Sequence, residues 1–217
     1  MDSTVFIIGV GPGLGESLAR IFHDANYKVG LIARSQEKLS VISQSLGNDR
    51  VGYSVCDCTD VDAFKFSLQS LYNDLGPPTV AIYNAASLTM DNALQVTPHK
   101  FLKSMDVNVV SALNLVQSVI ELFPISDSPN HILFTGGILA HTPSKDFFTL
   151  SLGKQSLFML FNLLQDDLKS FLSRIQEGSS SKVNQPSTSQ RLQAIVGALA
   201  KIDKFNSSIA VDEKLLS

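Results

Sequence analysis

Long apolar runs are missing from this chain of 217 residues, and no stretch approaches the roughly 20 apolar residues that a membrane-spanning helix needs. Blocks of basic charge are missing as well. With 17 Lys and Arg against 20 Asp and Glu the net charge is −3, so nothing attracts nucleic acid or an anionic membrane surface over the whole molecule. The first apolar run is short, lacks a basic flank and passes into glycines instead of a small-residue cleavage site, so it is not expected to be a secretory signal. Cysteine is scarce. Cys56 and Cys58 are the only two, a spacing too short for an ordinary disulfide. His23, His99, His131 and His141 show no partner spacing for a metal pair with them, so small core residues are the favoured reading of both thiols. No metal is expected, and the location expected is cytoplasmic.

What is present is a chain with 44% apolar and 17% charged residues, enough for one large α/β domain. Its organising stretch is Val5-Phe-Ile-Ile-Gly9-Val-Gly11-Pro-Gly13-Leu14-Gly15, followed by the amphipathic segment 16–25. It reads as strand, phosphate loop and helix. Gly9, Gly13 and Gly15 suit a tight turn, close backbone approach to a pyrophosphate and close packing of helix on strand, while the helix N-terminus offers free N–H groups. The spacing is G-x-x-x-G-x-G instead of G-x-G-x-x-G, and a plain tight turn is the competing reading. A dinucleotide is the expected ligand.

Strand and helix then alternate. Residues 28–33 read as a buried parallel strand that ends in Arg34-Ser35, where dinucleotide folds meet the adenosine ribose. An acid there accepts from a 2′-hydroxyl and an Arg accommodates a 2′-phosphate. No acid occurs before Glu37, so NADP(H) is favoured over NAD(H), against the plainer role of a surface Arg. Helix 35–46 stops at Gly47-Asn48, strand 51–56 leads to Asp57, and helix 60–75 ends at Gly76-Pro77-Pro78. Asp57 stands at the ligand edge of the sheet, or else caps the next helix. Strand 79–83 runs into Asn84-Ala85-Ala86-Ser87, whose small residues let the chain pass close to a ligand. One long helix is expected from Pro98 to Phe123, with an apolar face wide enough to be buried on two sides. Asn108 and Asn114 lie among those apolar residues and must find hydrogen-bond partners or be costly. Strand 131–135 and a helix over 148–172 complete the pattern of a doubly wound parallel sheet. Residues 177–190 read as a flexible linker, 191–205 as a last helix, and the remainder to 217 as a tail.

Gly9-x-x-x-Gly13-Leu14-Gly15, Asp57, Asn84-Ala85-Ala86, Asn108 and Lys154 fall in the order and approximate spacing of the short-chain dehydrogenase/reductase family, which the chain resembles over about residues 4–172. The resemblance implies a Rossmann-like domain over 1–176 with helices on both faces of a parallel sheet. It implies an NAD(P)-dependent oxidoreductase acting on a carbonyl or alcohol, with Gly9, Gly11, Gly13, Leu14 and Gly15 on the pyrophosphate. Arg34, Ser35 and Asp57 would lie at the adenosine end, Asn84 and Ala85 along the cofactor, and Lys154 on the nicotinamide ribose. Asn108 would bind backbone and water beside Lys154. The chain also closely resembles divergent members with Gly-x-Gly-Pro-Gly-x-Gly, Tyr-Asn-Ala and Phe-Thr-Gly, here Gly9–Gly15, Tyr83–Ala85 and Phe134–Gly136.

The departures bear on chemistry. The family's tyrosine lies four residues before the lysine, which is Leu150 here, and the serine thirteen residues before the tyrosine falls at Gly137. Leucine cannot move a proton, and none of Tyr27, Tyr53, Tyr72 and Tyr83 lies in the Gly136–Lys154 segment. Thr135, His141, Ser144, Ser151 and Lys154 are the remaining polar groups, with Lys154 the best residual acid because an apolar site depresses a lysine pKa. A cofactor-binding pseudoenzyme serving as sensor or scaffold is the alternative. The family's sixth strand and Pro-Gly turn have no equivalent, so the carboxyl-terminal strands are expected to be reduced or missing. Family members pair through two long helices, here 98–123 and 148–172, and burial of those helices on the chain's own sheet is the competing use of their apolar faces.

Overall fold

A computed structural model of the chain describes residues 3–122 and 131–178. The chain divides into the units Met1–Asp167 and Leu168–Ser217, and the sheet and the candidate site belong to the first. From residue 179 the expected linker, the last helix and the tail lie outside the described residues.

Five parallel strands are present among the described residues: β1 (Thr4–Ile8), β2 (Lys28–Ala33), β3 (Val51–Val55), β4 (Val80–Tyr83) and β5 (His131–Phe134), in the order β3-β2-β1-β4-β5. β1 reads Thr-Val-Phe-Ile-Ile and is buried along its whole length, as a strand covered on both faces must be. Phe6 and Ile8 join a core with Phe64, Leu68 and Leu71 of α3 (Val61–Leu75), Leu115, Val116 and Val119 of α5 (Ser111–Leu122) and Leu157 of α6 (Phe148–Gly178). The alternate residues Val5 and Ile7 face the other layer, formed by α1 (Leu14–Asp24) and α2 (Gln36–Leu46). Register pairs Ile8 with both Ile32 and Tyr83, and Tyr83 with Phe134. All the loops that follow the strands therefore leave the same edge. The order reverses between β1 and β4, and there the crevice opens.

Boundaries follow local chemistry. Ser35 Oγ accepts from Lys38 N to cap α2, and Asp60 Oδ1 accepts from Ala63 N to cap α3. α6 runs to Gly178, six residues past the expected end at Leu172, so Glu177 and Gly178 are helical.

The single helix expected over 98–123 is corrected. α4 (Pro98–Met105) passes into a π-helical turn, Asp106–Val110, before α5 begins at Ser111. Ser111 Oγ donates to the Asp106 carbonyl at 2.8 Å, and the Tyr83 hydroxyl donates to the Val107 carbonyl, so the widened turn is held from within and from the sheet. Such turns put one extra residue into a helix and recur at functional sites.

Candidate functional site

The crevice is built by two loops that touch. Gly9 has φ of +89°, and a Cβ there would stand 2.3 Å from Ala85 N, so only glycine lets the loop after β1 cross the loop after β4. Asn84 Nδ2 donates to the Gly9 carbonyl at 2.8 Å, and Asn84 N donates to Ile8 O at 2.8 Å. Gly15 packs against this crossing, where an added Cβ would meet Gly9 O and Val10 Cα at 2.9 Å. At Gly11 and Gly13 a Cβ would meet nothing within 4 Å, so that side of the loop is open. Leu14 and Gly15 form the first turn of α1, which no side chain caps, and their amides have no partner inside the helix.

At the end of β2, Arg34 is exposed and its Nη1 lies 3.9 Å from Asp57 Oδ2. Asp57 does not cap α3, which Asp60 does. Its Oδ1 accepts from Thr59 N at 3.1 Å and Thr59 Oγ1 at 2.9 Å. Partial burial pushes the Asp57 pKa up, but these hydrogen bonds and the charges of Arg34 and Lys103 outweigh that and hold it below the usual value. The Ser35 hydroxyl is engaged as the α2 cap.

The second cluster gathers around the π turn. Asn108 is 2% exposed, its Oδ1 accepts from Ser87 N at 3.0 Å, and its Nδ2 donates to Ser104 Oγ at 3.0 Å. Both expected asparagines are thereby accounted for differently: Asn108 is paired, whereas Asn114 Nδ2 is buried with no hydrogen-bond partner. Gly153 of α6 lies against Asn108, and an added Cβ would come 2.6 Å from Asn108 Cβ. The next residue, Lys154, reaches across to the end of β5, where Nζ donates to Thr135 O at 2.8 Å. Burial brings its pKa down from 10.5 to about 8.

A family model described as short chain dehydrogenase matches residues 3–177. The chain belongs to that family. An uncharacterized oxidoreductase of Staphylococcus saprophyticus is 26% identical over 140 residues, 64% of this chain and 56% of that protein, and one of Staphylococcus aureus is 22% identical over 77% of this chain and 72% of that protein. The stretch matched in the first thus spans little more than half of that relative's length. Among solved structures, serine dehydrogenase from Escherichia coli superposes with a TM-score of 0.69 at 22% identity, covering 76% of each chain. A 3-ketoacyl-(acyl-carrier-protein) reductase from Brucella melitensis, in complex with NADH, gives 0.73 at 19% identity over 77% of this chain and 71% of that one. These likenesses establish the Rossmann-like fold.

Family members bind NAD(P)(H), and the residues present here fit that group. The open flank at Gly11 and Gly13, the uncapped first turn of α1 and two undirected donors on Lys154 are what a pyrophosphate and a ribose require.

The other polar groups near Lys154 are held elsewhere. Leu150, expected at the family's tyrosine position, is buried, and Gly137, expected at the serine position, is exposed. Thr135 Oγ1 donates to Tyr83 O, and Ser151 Oγ donates to Ser144 O while accepting from Ser144 N. Ser144 Oγ accepts from Asp146 N, and the His141 ring stacks edge-on against Phe158 at 5.1 Å. Tyr83 is the tyrosine that ends at the crevice, but burial raises its pKa and its hydroxyl is given to Val107 O. Cys56 and Cys58 are buried free thiols, as expected, and burial also pushes the Cys56 pKa up. Among the described residues no group of metal-ligating side chains occurs, and no helix is long and apolar enough to cross a membrane.

Several residues of the site had no sequence signal. Asp91 is one: its carboxylate accepts from Thr149 N at 3.0 Å and from Thr149 Oγ1 at 2.5 Å, so a loop residue caps α6 from 58 positions away. Ser87 and Ser104 are others, ordinary serines until Asn108 pairs them. Gly153 could have been found, because a glycine inside a helix otherwise costs about 1 kcal/mol and so asks for a packing reason.

Proposed function

We propose that the protein is an NADP(H)-dependent oxidoreductase acting on a small carbonyl or alcohol compound, in which Lys154 moves the proton. The carrying observation is that Lys154, its pKa brought down to about 8 by burial, keeps donors free, while Thr135, Ser144 and Ser151 are committed to other partners and the His141 ring lies against Phe158. When bound, the nicotinamide would supply or accept a hydride. Gly9, Gly11, Gly13, Leu14 and Gly15 would hold the pyrophosphate, Asn84 and Ala85 the adjoining loop, and Lys154 the ribose. Lys154 Nζ would then give its proton to the substrate oxygen and regain one from water, with Asn108 and Gly153 fixing the helix that carries it. Arg34 without an acid beside it on the strand end supports NADP(H) over NAD(H).

Titration of the purified protein with NADPH and NADH, followed by nicotinamide fluorescence, tests the cofactor. A panel of aldehydes and ketones with Lys154→Met as control tests the chemistry. Selective NADPH binding with turnover lost in Lys154→Met is expected. NADPH binding without turnover on any carbonyl would overturn the enzymatic reading. Pairing of two copies through the π turn, α5 and α6 belongs to the same reading, supported by the exposed Val110, Ile120, Phe158, Met159 and Leu163 on the faces turned from the core. A monomer in light scattering would remove it.

A further inference from the structure

A cavity of about 460 Å³ is lined by the loop after β4 and by α4, with Arg34, Asp91 and Thr149 also in its wall. Three cations line it: Arg34, Lys100 and Lys103. Lys100 and Lys103 are three apart on one face of α4, with Ser104 and Val107 continuing that face into the π turn. Of all the hydrogen bonds and ion pairs among the described residues, none is made by either ammonium. The single carboxylate in the lining is Asp91, and both its oxygens are engaged by Thr149.

Resting on the NADP(H) reading above, we propose that Lys103 closes a clamp with Arg34 on the 2′-phosphate of the cofactor, with Lys100 as an outer charge. Charge balance requires a second cation. Arg34 faces the Asp57 carboxylate at 3.9 Å, beyond hydrogen-bond distance, so its donors are free but its charge is already offset by one neighbour. A phosphate monoester carries about −1.5 to −2 at neutral pH. Arg34 and Asp57 together sum to zero, and Lys103, which also feels Asp57, is the cation that can meet such a group from the α4 side. Asp57 Oδ1 stays turned toward Thr59, which keeps one carboxylate oxygen away from the anion. The strand-end position is where dinucleotide folds place an Arg for a 2′-phosphate. Lys103 would add a second cation from α4.

Lys103→Gln, Lys100→Gln and wild type are compared by nicotinamide fluorescence with NADPH and NADH, and by displacement with 2′,5′-ADP and 5′-ADP as probes that need no turnover. Both lysines are exposed, so the variants keep the fold, which circular dichroism confirms. Loss of a charge-assisted contact at an exposed site corresponds to about tenfold in affinity. Lys103→Gln should lose about that much for NADPH and 2′,5′-ADP and stay within about twofold of wild type for NADH and 5′-ADP. Wild-type preference for NADPH that survives unchanged in Lys103→Gln overturns the clamp and leaves the NADP(H) reading with Arg34 alone. Equal weakening for both cofactors also overturns it, since the lysine then steers anions in general. A wild type that binds NADH as tightly as NADPH overturns the underlying reading itself. Unchanged cofactor binding with a raised KM for acidic carbonyl substrates would assign Lys103 to substrate and overturn the proposal too.

Discussion

Replacing Lys154 by Met makes the protonation of this lysine measurable as stability. In the fold its pKa falls from 10.5 to about 8, with burial as the cause. At about 1.4 kcal/mol per pH unit, this difference corresponds to about 3 kcal/mol. The sign follows from proton counting. Below pH 8 the folded and unfolded chains both carry the proton, and the fold bears the whole cost of a half-buried ammonium. Between pH 8 and 10.5 the unfolded chain holds a proton that the folded chain has released, so stability rises with pH. Above 10.5 the cost is gone. The methionine variant bears no such cost but loses the bond to Thr135 O, worth about 1 kcal/mol, so Lys154→Met should be about 2 kcal/mol more stable at neutral pH. Urea denaturation of both proteins from neutral pH to 10.5 is the assay, and the other titrating groups cancel in the difference. The advantage of Lys154→Met should shrink and reverse by about 1 kcal/mol at the alkaline end. A difference that stays constant across that range would refute the argument, because Lys154 would then titrate alike in both states.

Gly153→Ala gains helix propensity of about 1 kcal/mol but drives a methyl into Asn108, where overpacking costs about 1–3 kcal/mol and two hydrogen bonds are strained, so a net fall in Tm is expected. Unchanged melting would mean that α6 can shift away freely. Asp91→Ala removes the cap on α6 and should cost about 1 kcal/mol, seen as a Tm lower by roughly 2–4 °C in a chain of this size. Asn114→Leu removes a buried amide without a partner and should stabilise by about 1 kcal/mol in urea denaturation, and destabilisation would show that the amide is satisfied in solution. Leu150→Tyr, checked by turnover of aldehydes with NADPH, should raise the rate by about 10²–10⁴-fold, because a phenol one helical turn before Lys154 supplies the missing acid.

The glycine loop was legible because a strand, a turn and a helix in that order leave a local pattern, and the contact of Gly9 with Ala85 is what the glycine was needed for. The parallel sheet followed from alternation of strand and helix, whereas its order β3-β2-β1-β4-β5 came only with the structure. The π turn was not legible. Apolar residues repeat across 98–122 closely enough to suggest one continuous helix, and a single extra residue hardly disturbs that repeat. The buried face at the start of this segment is also polar: Ser104, Asn108 and Ser111 are buried, where the apolar pattern pointed to Phe101 and Met105. A serine that pairs with a buried asparagine looks, in sequence, like a serine that meets water. Asp91 escaped for a similar reason, because its partner Thr149 lies 58 residues on. The place of Arg34 directly after β2 could be read from sequence, whereas its sharing a cavity wall with Lys103 could not, because that depends on how α4 packs.

The exchange of tyrosine for leucine and the low pKa of Lys154 are linked on this reading. Residues four apart share a helix face, which places the buried Leu150 one turn before Lys154. A phenol there would solvate the ammonium and share its charge, whereas a buried isobutyl group excludes water and offers no dipole. The carbonyl of Thr135 is the only hydrogen-bond partner Lys154 keeps among the described residues, and one neutral acceptor does not restore the hydration of a cation. On the proposed function, an aliphatic side chain at position 150 creates the condition under which the lysine could act as the acid. An ammonium with its ordinary pKa would hold its proton too tightly to give it up at neutral pH, but one near 8 is matched to that task.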